Sequence, residues 1–143
     1  MPNIIFMDEP TSGLDGAATL ELAECLSSLR KSGLTIVCTI HQPRFSVFKE
    51  FTHLMLLGKG GQMVFSGSTS KSMPYLNENG FEMPQGENAA DWMVDIVCGH
   101  VPKLTASGAV DPNFEAPADL FRWWSEQYVD CRLDLRTKIA ACF

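Results

Sequence analysis

The chain has 143 residues, 45% of them apolar and 20% charged, with a net charge of −6 at neutral pH and a pI near 4.9. That length and apolar content suffice for one domain with a core, while the acidic balance, with no Lys/Arg run longer than Arg30-Lys31, leaves no basic footprint for nucleic acid. Five scattered cysteines without a Cys-x-x-Cys pair argue against a disulfide framework and a zinc site, and the absence of an apolar run near the roughly 20 residues of a membrane span reads as a soluble or peripheral chain.

Ile4-Ile5-Phe6-Met7 runs straight into Asp8-Glu9, the pattern of a buried parallel strand that delivers two carboxylates to its carboxyl end. In phosphate chemistry a carboxylate so placed commonly holds Mg²⁺, and its neighbour can position or deprotonate an attacking water. Asp15 then caps a helix predicted over Gly16 to Arg30, where Ala18, Leu22, Leu26 and Leu29 recur at helical spacing and Gly33 stops the element. Leu34 to Ile40 is β-branched and apolar, so residues 4–40 make a strand, helix, strand crossover of right-handed sense with both strand ends on one edge. His41 follows directly. It is therefore placed beside Asp8 and Glu9, where an imidazole can hydrogen-bond a phosphate oxygen.

Phe45, Val47, Phe48 and Phe51 read as the inner face of a short helix. His53–Leu57 and Gln62–Ser66 flank Gly58-Lys59-Gly60-Gly61 and predict a hairpin; that turn lacks Walker A spacing and no Ser or Thr follows its lysine, which removes it as a phosphate cradle. Ser70 to Asn79 predicts a helix stopped by Gly80, with Pro74 tolerable only in the first turn. Asn88-Ala89-Ala90-Asp91 is a cap signature before a helix from Trp92 to Cys98 that Gly99 ends. Residues 100–118 read as a linker. Pro117 opens a last helix, to about 138, with Leu120, Trp124, Tyr128, Cys131 and Leu135 on one side. Trp123, Trp124 and Tyr128 suit either a membrane interface or ordinary packing against the domain.

The string from Ile4 to Asp15 closely resembles the Walker B motif and D-loop of ATP-binding cassette (ABC) ATPases. His41-Gln42-Pro43 resembles the H-loop of their G subfamily, and Asn88 to Asp91 resembles its Asn-Pro-Ala-Asp motif with Ala89 in place of proline. The resemblance implies an α/β fold, a partial P-loop NTPase (RecA-like ABC ATPase) core of parallel strands with a crossover helix, followed by a β-hairpin and C-terminal helices. It implies residues 1–99 as the C-terminal part of a nucleotide-binding domain, 100–116 as a linker and 117–143 as a connecting helix toward a transmembrane domain. ATP and Mg²⁺ are the implied cofactors: Asp8 on the metal, Glu9 as catalytic base, His41 as switch histidine, and Ser12, Gly13, Leu14 and Asp15 as the D-loop facing a second nucleotide-binding domain across the ATP.

On this reading the chain is an ATP-hydrolysing module of a G-type ABC transporter, membrane-associated on the cytoplasmic side of its parent. No Walker A string, Gly-x-x-x-x-Gly-Lys-Ser/Thr, occurs. The isolated chain is therefore expected neither to bind ATP tightly nor to hydrolyse it, and to carry a gap in the sheet centre between the His41 strand and the strands after it. The alternatives are an inactive remnant or truncated gene product, and a soluble ABC ATPase of DNA repair or translation, which His-Gln-Pro and the acidic charge disfavour.

Overall fold

The computed structural model describes residues 3–127 and 139–142. Strands β1 (Ile4–Met7) and β2 (Thr35–Thr39) run parallel, Ile4 opposite Thr35 and Met7 opposite Cys38. Because side chains alternate across a strand, Met7 joins the buried Ile36 and Cys38 on one face, against Ala23 and Leu26 of helix α1 (Gly16–Lys31). The other face of β1 is open, with Ile4 42% and Phe6 75% exposed, so the fully buried strand expected from Ile4-Ile5-Phe6-Met7 is an edge strand instead. Helix α1 begins where the sequence places it, for the Asp15 carboxylate accepts the Ala17 and Ala18 amides at 3.0 and 2.8 Å. Arg30 and Lys31 sit in its last turn, complementing the helix dipole, and Gly33, at φ +100°, turns the chain into β2.

The sheet has five strands in the order β1-β2-β5-β3-β4, with β3 (His53–Leu57), β4 (Met63–Ser68) and β5 (Ile139–Cys142). Strands β3 and β4 form the expected antiparallel hairpin, closed by Lys59–Gly61 with Gly60 and Gly61 at positive φ. The expected gap beside the His41 strand does not exist. Strand β5 occupies that place, parallel to β2 on one side (Ile36 opposite Ile139) and to β3 on the other (His53 opposite Ala140), so the facing backbone donors and acceptors of β2 and β3 are paired.

The remaining helices are α2 (Phe45–Phe48), α3 (Thr69–Glu78), α4 (Ala89–Cys98) and α5 (Ala118–Gln127). Asn88 caps α4 through the Ala90 amide at 3.1 Å and Gly99 ends it in the left-handed region. Two expectations are corrected here. Phe45 is 65% exposed, leaving Val47, Phe48 and Phe51 as the buried side of α2 and its exit. Pro74 is the sixth residue of α3, beyond the first turn; the carbonyl it leaves without a helical donor belongs to Ser70, an exposed residue that water reaches.

Residues 100–116 are not a free linker. Leu104 bridges Val110, the Asp111 amide donates to the Lys103 carbonyl at 2.9 Å, and Lys103 Nζ lies 3.2 Å from Asp111 Oδ2. A backbone hydrogen bond from that ion pair's neighbour, Asn113, and the Lys103 ammonium hold the Asp111 carboxyl below its ordinary value. The closed loop rests on the α3 exit, with Phe114 edge-on to Phe81 at 5.4 Å.

Helix α5 continues into the same core rather than forming a separate unit. Leu120 is fully buried, and Trp124 packs on Phe65 at 5.4 Å and Tyr75 at 5.8 Å. Trp123 stacks on Phe114 at 5.5 Å. Both indoles thus pack against the protein, and the interfacial role expected of them gives way to the packing alternative. Tyr128, Cys131, Leu135 and the rest of the helix expected to about 138 lie outside the described residues.

Two substitutions test this arrangement. Gly80 has φ +87°, and a Cβ there would lie 2.9 Å from the Leu104 carbonyl oxygen; Gly80→Ala is expected to destabilise by roughly 2–3 kcal/mol in urea denaturation, combining left-handed strain with a backbone clash. Proline has no N–H for a strand paired on both sides, so Ala141→Pro in β5 is expected to cost about 1–3 kcal/mol in the same assay, and a change within about 0.5 kcal/mol would show that β5 does not complete the sheet.

Candidate functional site

The site lies where β1 and β2 end. Extending the register by one residue beyond Met7 and Cys38 sets Asp8 opposite Thr39, and the two side chains meet: Thr39 Oγ1 donates to Asp8 Oδ1 at 2.5 Å and accepts the Glu9 amide at 2.8 Å. One threonine hydroxyl therefore ties both acidic residues to β2. Among the described residues the non-glycine positions with positive φ are Glu9 (+42°) and Gln42 (+47°), both at this edge. An L-residue held there costs about 1–2 kcal/mol, and such strain concentrates where a backbone is shaped for binding.

A cavity of about 270 Å³ opens on this edge, with Glu9, Thr39, His41 and Gln42 on its polar side and Ile40, Leu57 and Val94 behind. The structure thus brings Asp8, Glu9 and His41 to one exposed edge. The remaining predicted residues are placed differently. Ser12 and Leu14 lie in successive turns, their amides donating to the Glu9 and Thr11 carbonyls at 3.0 and 3.2 Å, with Gly13 between them at φ +76°. Asp15 is occupied in capping α1.

Thr39, Gln42, Leu57 and Val94 were not among the sequence candidates. Thr39 alone had a readable signal, a polar residue at the point where the parallel register meets the first carboxylate. Among the described residues no group of three or more His, Cys, Asp and Glu side chains is arranged to hold a metal ion. The Asp8 carboxylate and Thr39 hydroxyl fit Mg²⁺ only as part of a shell that phosphate oxygens and water complete.

Thr39→Val keeps the β-branched shape and removes the hydroxyl from Asp8 and Glu9. It is expected to lower stability by about 0.5–1.5 kcal/mol, the net worth of such hydrogen bonds. It should also disorder the edge, read as nuclear magnetic resonance shift changes confined to residues 7–10 and 39–43; changes spread evenly over the protein would contradict the local role.

The chain is 42% identical over 96 residues to ABC transporter G family member 1 of Dictyostelium discoideum, which covers 67% of this chain and 12% of that protein. It is 39% identical over 114 residues to ABC transporter G family member 3 of the same organism, 77% of this chain and 8% of the relative. It is 38% identical over 129 residues to ABC multidrug transporter G of Aspergillus fumigatus, 87% and 9%. The chain thus spans about a tenth of the length of these relatives. Residues 41–139 match the family described as ABC-2 type transporter, the membrane part of G-type transporters. That match overturns the assignment of this chain to the nucleotide-binding domain, and with it the reading as an ATP-binding, ATP-hydrolysing module. No helix among the described residues is long and apolar enough to cross a membrane. With residues 41–139 inside that family, this chain belongs to the ABC-2 type transporters.

Proposed function

We propose that the chain is a relay segment of a G-type ABC transporter, carrying movement between the strand-end edge and the α5 side of the protein while the parent moves a solute across a membrane. The observation that carries this is the docking of α5: Trp124 lies against Phe65 of β4 and Tyr75 of α3, so α5 follows the sheet as one packed body. The partners in this reading are the parent's nucleotide-binding domains and the rest of its membrane domain, the chain lying on the cytoplasmic side. ATP and Mg²⁺ enter as the energy source of the parent's nucleotide-binding domains, and the chain receives the resulting movement.

Trp124→Ala in the whole transporter removes the α5 contact at a cost of about 3–5 kcal/mol to local packing. Transport in reconstituted vesicles is expected to fall at least about tenfold while membrane insertion persists, and Trp124→Phe, which keeps an aromatic ring in the cluster, should recover most of it. Transport within twofold of wild type for the alanine variant would sink the relay reading.

A further inference from the structure

Asn88 makes two hydrogen bonds, and only one of them caps a helix. Its Oδ1 accepts the Ala90 amide at 3.1 Å, which starts α4, while its Nδ2 donates to the Pro43 carbonyl at 3.0 Å across 45 positions of sequence. Capping alone does not select asparagine, because aspartate and serine cap a helix about as well. The second bond does. A side chain that accepts from one neighbour while donating to another needs an oxygen and an N–H group together at its tip, and a carboxamide supplies both.

The carbonyl that Asn88 holds belongs to a segment with little else to fix it. Residues 41–43 join the end of β2 to α2; Gln42 lies in the left-handed region at φ +47°, and Pro43 has no N–H to give. Among the described residues no other hydrogen bond holds the backbone of residues 41–43. On the far side of the bond the anchor is firm. Ala89 and Ala90 are buried, and Trp92, Met93, Ile96 and Val97 carry α4 into the cluster that also contains Leu120 and Trp124 of α5. Val94 of the same helix lines the strand-end cavity together with His41 and Gln42.

We propose that Asn88 is the positioning residue that fixes His41 and Gln42 at the strand-end edge by tying the Pro43 carbonyl to α4, and that movement of this edge enters α4 through that bond. The packed cluster then passes it to α5. The functional half rests on the relay reading and names the point where the relay is entered.

The test separates the two bonds. Asn88→Asp and Asn88→Ser keep an oxygen that can cap α4 and remove the donor to Pro43, whereas Asn88→Ala removes both. Amide hydrogen exchange on the full chain reads each side. The Val47 and Phe48 amides, which donate to the carbonyl of Arg44 just after Pro43 at 2.9 Å each, report the tethered segment, and the Trp92 amide, which donates to the Asn88 carbonyl at 2.9 Å, reports the start of α4. In the aspartate and serine variants Val47 and Phe48 are expected to exchange about fivefold faster or more, with Trp92 within about twofold of wild type; in the alanine variant all three quicken. Val47 and Phe48 unchanged in both capping variants would leave Asn88 a cap and nothing else. An effect in Asn88→Asp that Asn88→Ser lacks would trace to the added charge, and it overturns the positioning role as well. In the whole transporter, Asn88→Ser should lower transport in reconstituted vesicles about threefold or more with membrane insertion intact. Quickened exchange with unchanged transport overturns the functional half even where Trp124→Ala upholds the relay, while normal transport by Trp124→Ala sinks the relay and leaves the exchange result for Asn88 in place.

Discussion

Parallel pairing of β5 on both its edges is the constraint on which the rest depends. Strands β2 and β3 bury Ile36, Cys38, Leu54 and Leu56 almost completely. Each presents one edge toward the other across a strand's width, and a buried edge without partners leaves amides and carbonyls unpaired. Ile139–Cys142 fills that width in register with both. It also makes one sheet out of two pairs, the parallel β1-β2 and the antiparallel β3-β4, which share no direct backbone contact in the strand order.

Much of the local structure could be read from the residues because local chemistry determines it. Asp15 caps α1, Gly99 ends α4, and the hairpin turns at Gly60-Gly61, each for reasons contained within a few positions. The parallel pairing of β1 with β2, and with it the convergence of Asp8, Glu9 and His41, followed from one crossover of fixed hand. What escaped was non-local. Ile-Ala-Ala-Cys carries no pattern that separates a strand from the tail of a helix, and its assignment depends on the two edges waiting for it. The ion pair of Lys103 with Asp111, which turns an apparent linker into a closed loop, spans positions whose Pro, Gly, Ala and Ser carry little periodicity. Trp123 and Trp124 could be assigned to a membrane surface or to a core until Phe114, Phe65 and Tyr75 were placed against them.

The domain assignment failed for a related reason. The string from Ile4 to Asp15, His41-Gln42-Pro43 and Asn88 to Asp91 are short motifs, and together they carried the reading for the whole. The family match begins at His41 and takes in the hairpin, the closed loop and α5, which the sequence alone assigns to a nucleotide-binding domain, a linker and a connecting helix. At the edge itself, the geometry is held by a hydroxyl that sequence reading did not single out. Thr39 joins Asp8 to the Glu9 amide, and Glu9 takes up a left-handed backbone that non-glycine residues rarely adopt.

The two hydrophobic clusters are unequal, and the inequality divides the molecule's dynamics. Among the described residues, sixteen buried side chains from β3, β4, the helices α2 to α5 and the α3 exit at Phe81 form one cluster, and seven from α1, β2 and its exit at Ile40, and α2 and its exit form the other. Opening free energy follows the apolar contact that must be lost, so amide protons of α1 and β1 exchange with solvent through smaller excursions than those of β3 and α4. Glu9 sits on this softer half while Leu57 of β3 and Val94 of α4, which line the same cavity, sit on the elements of the firmer one. The mouth between them is thus bounded by the softer half on one side and by the firmer half on the other.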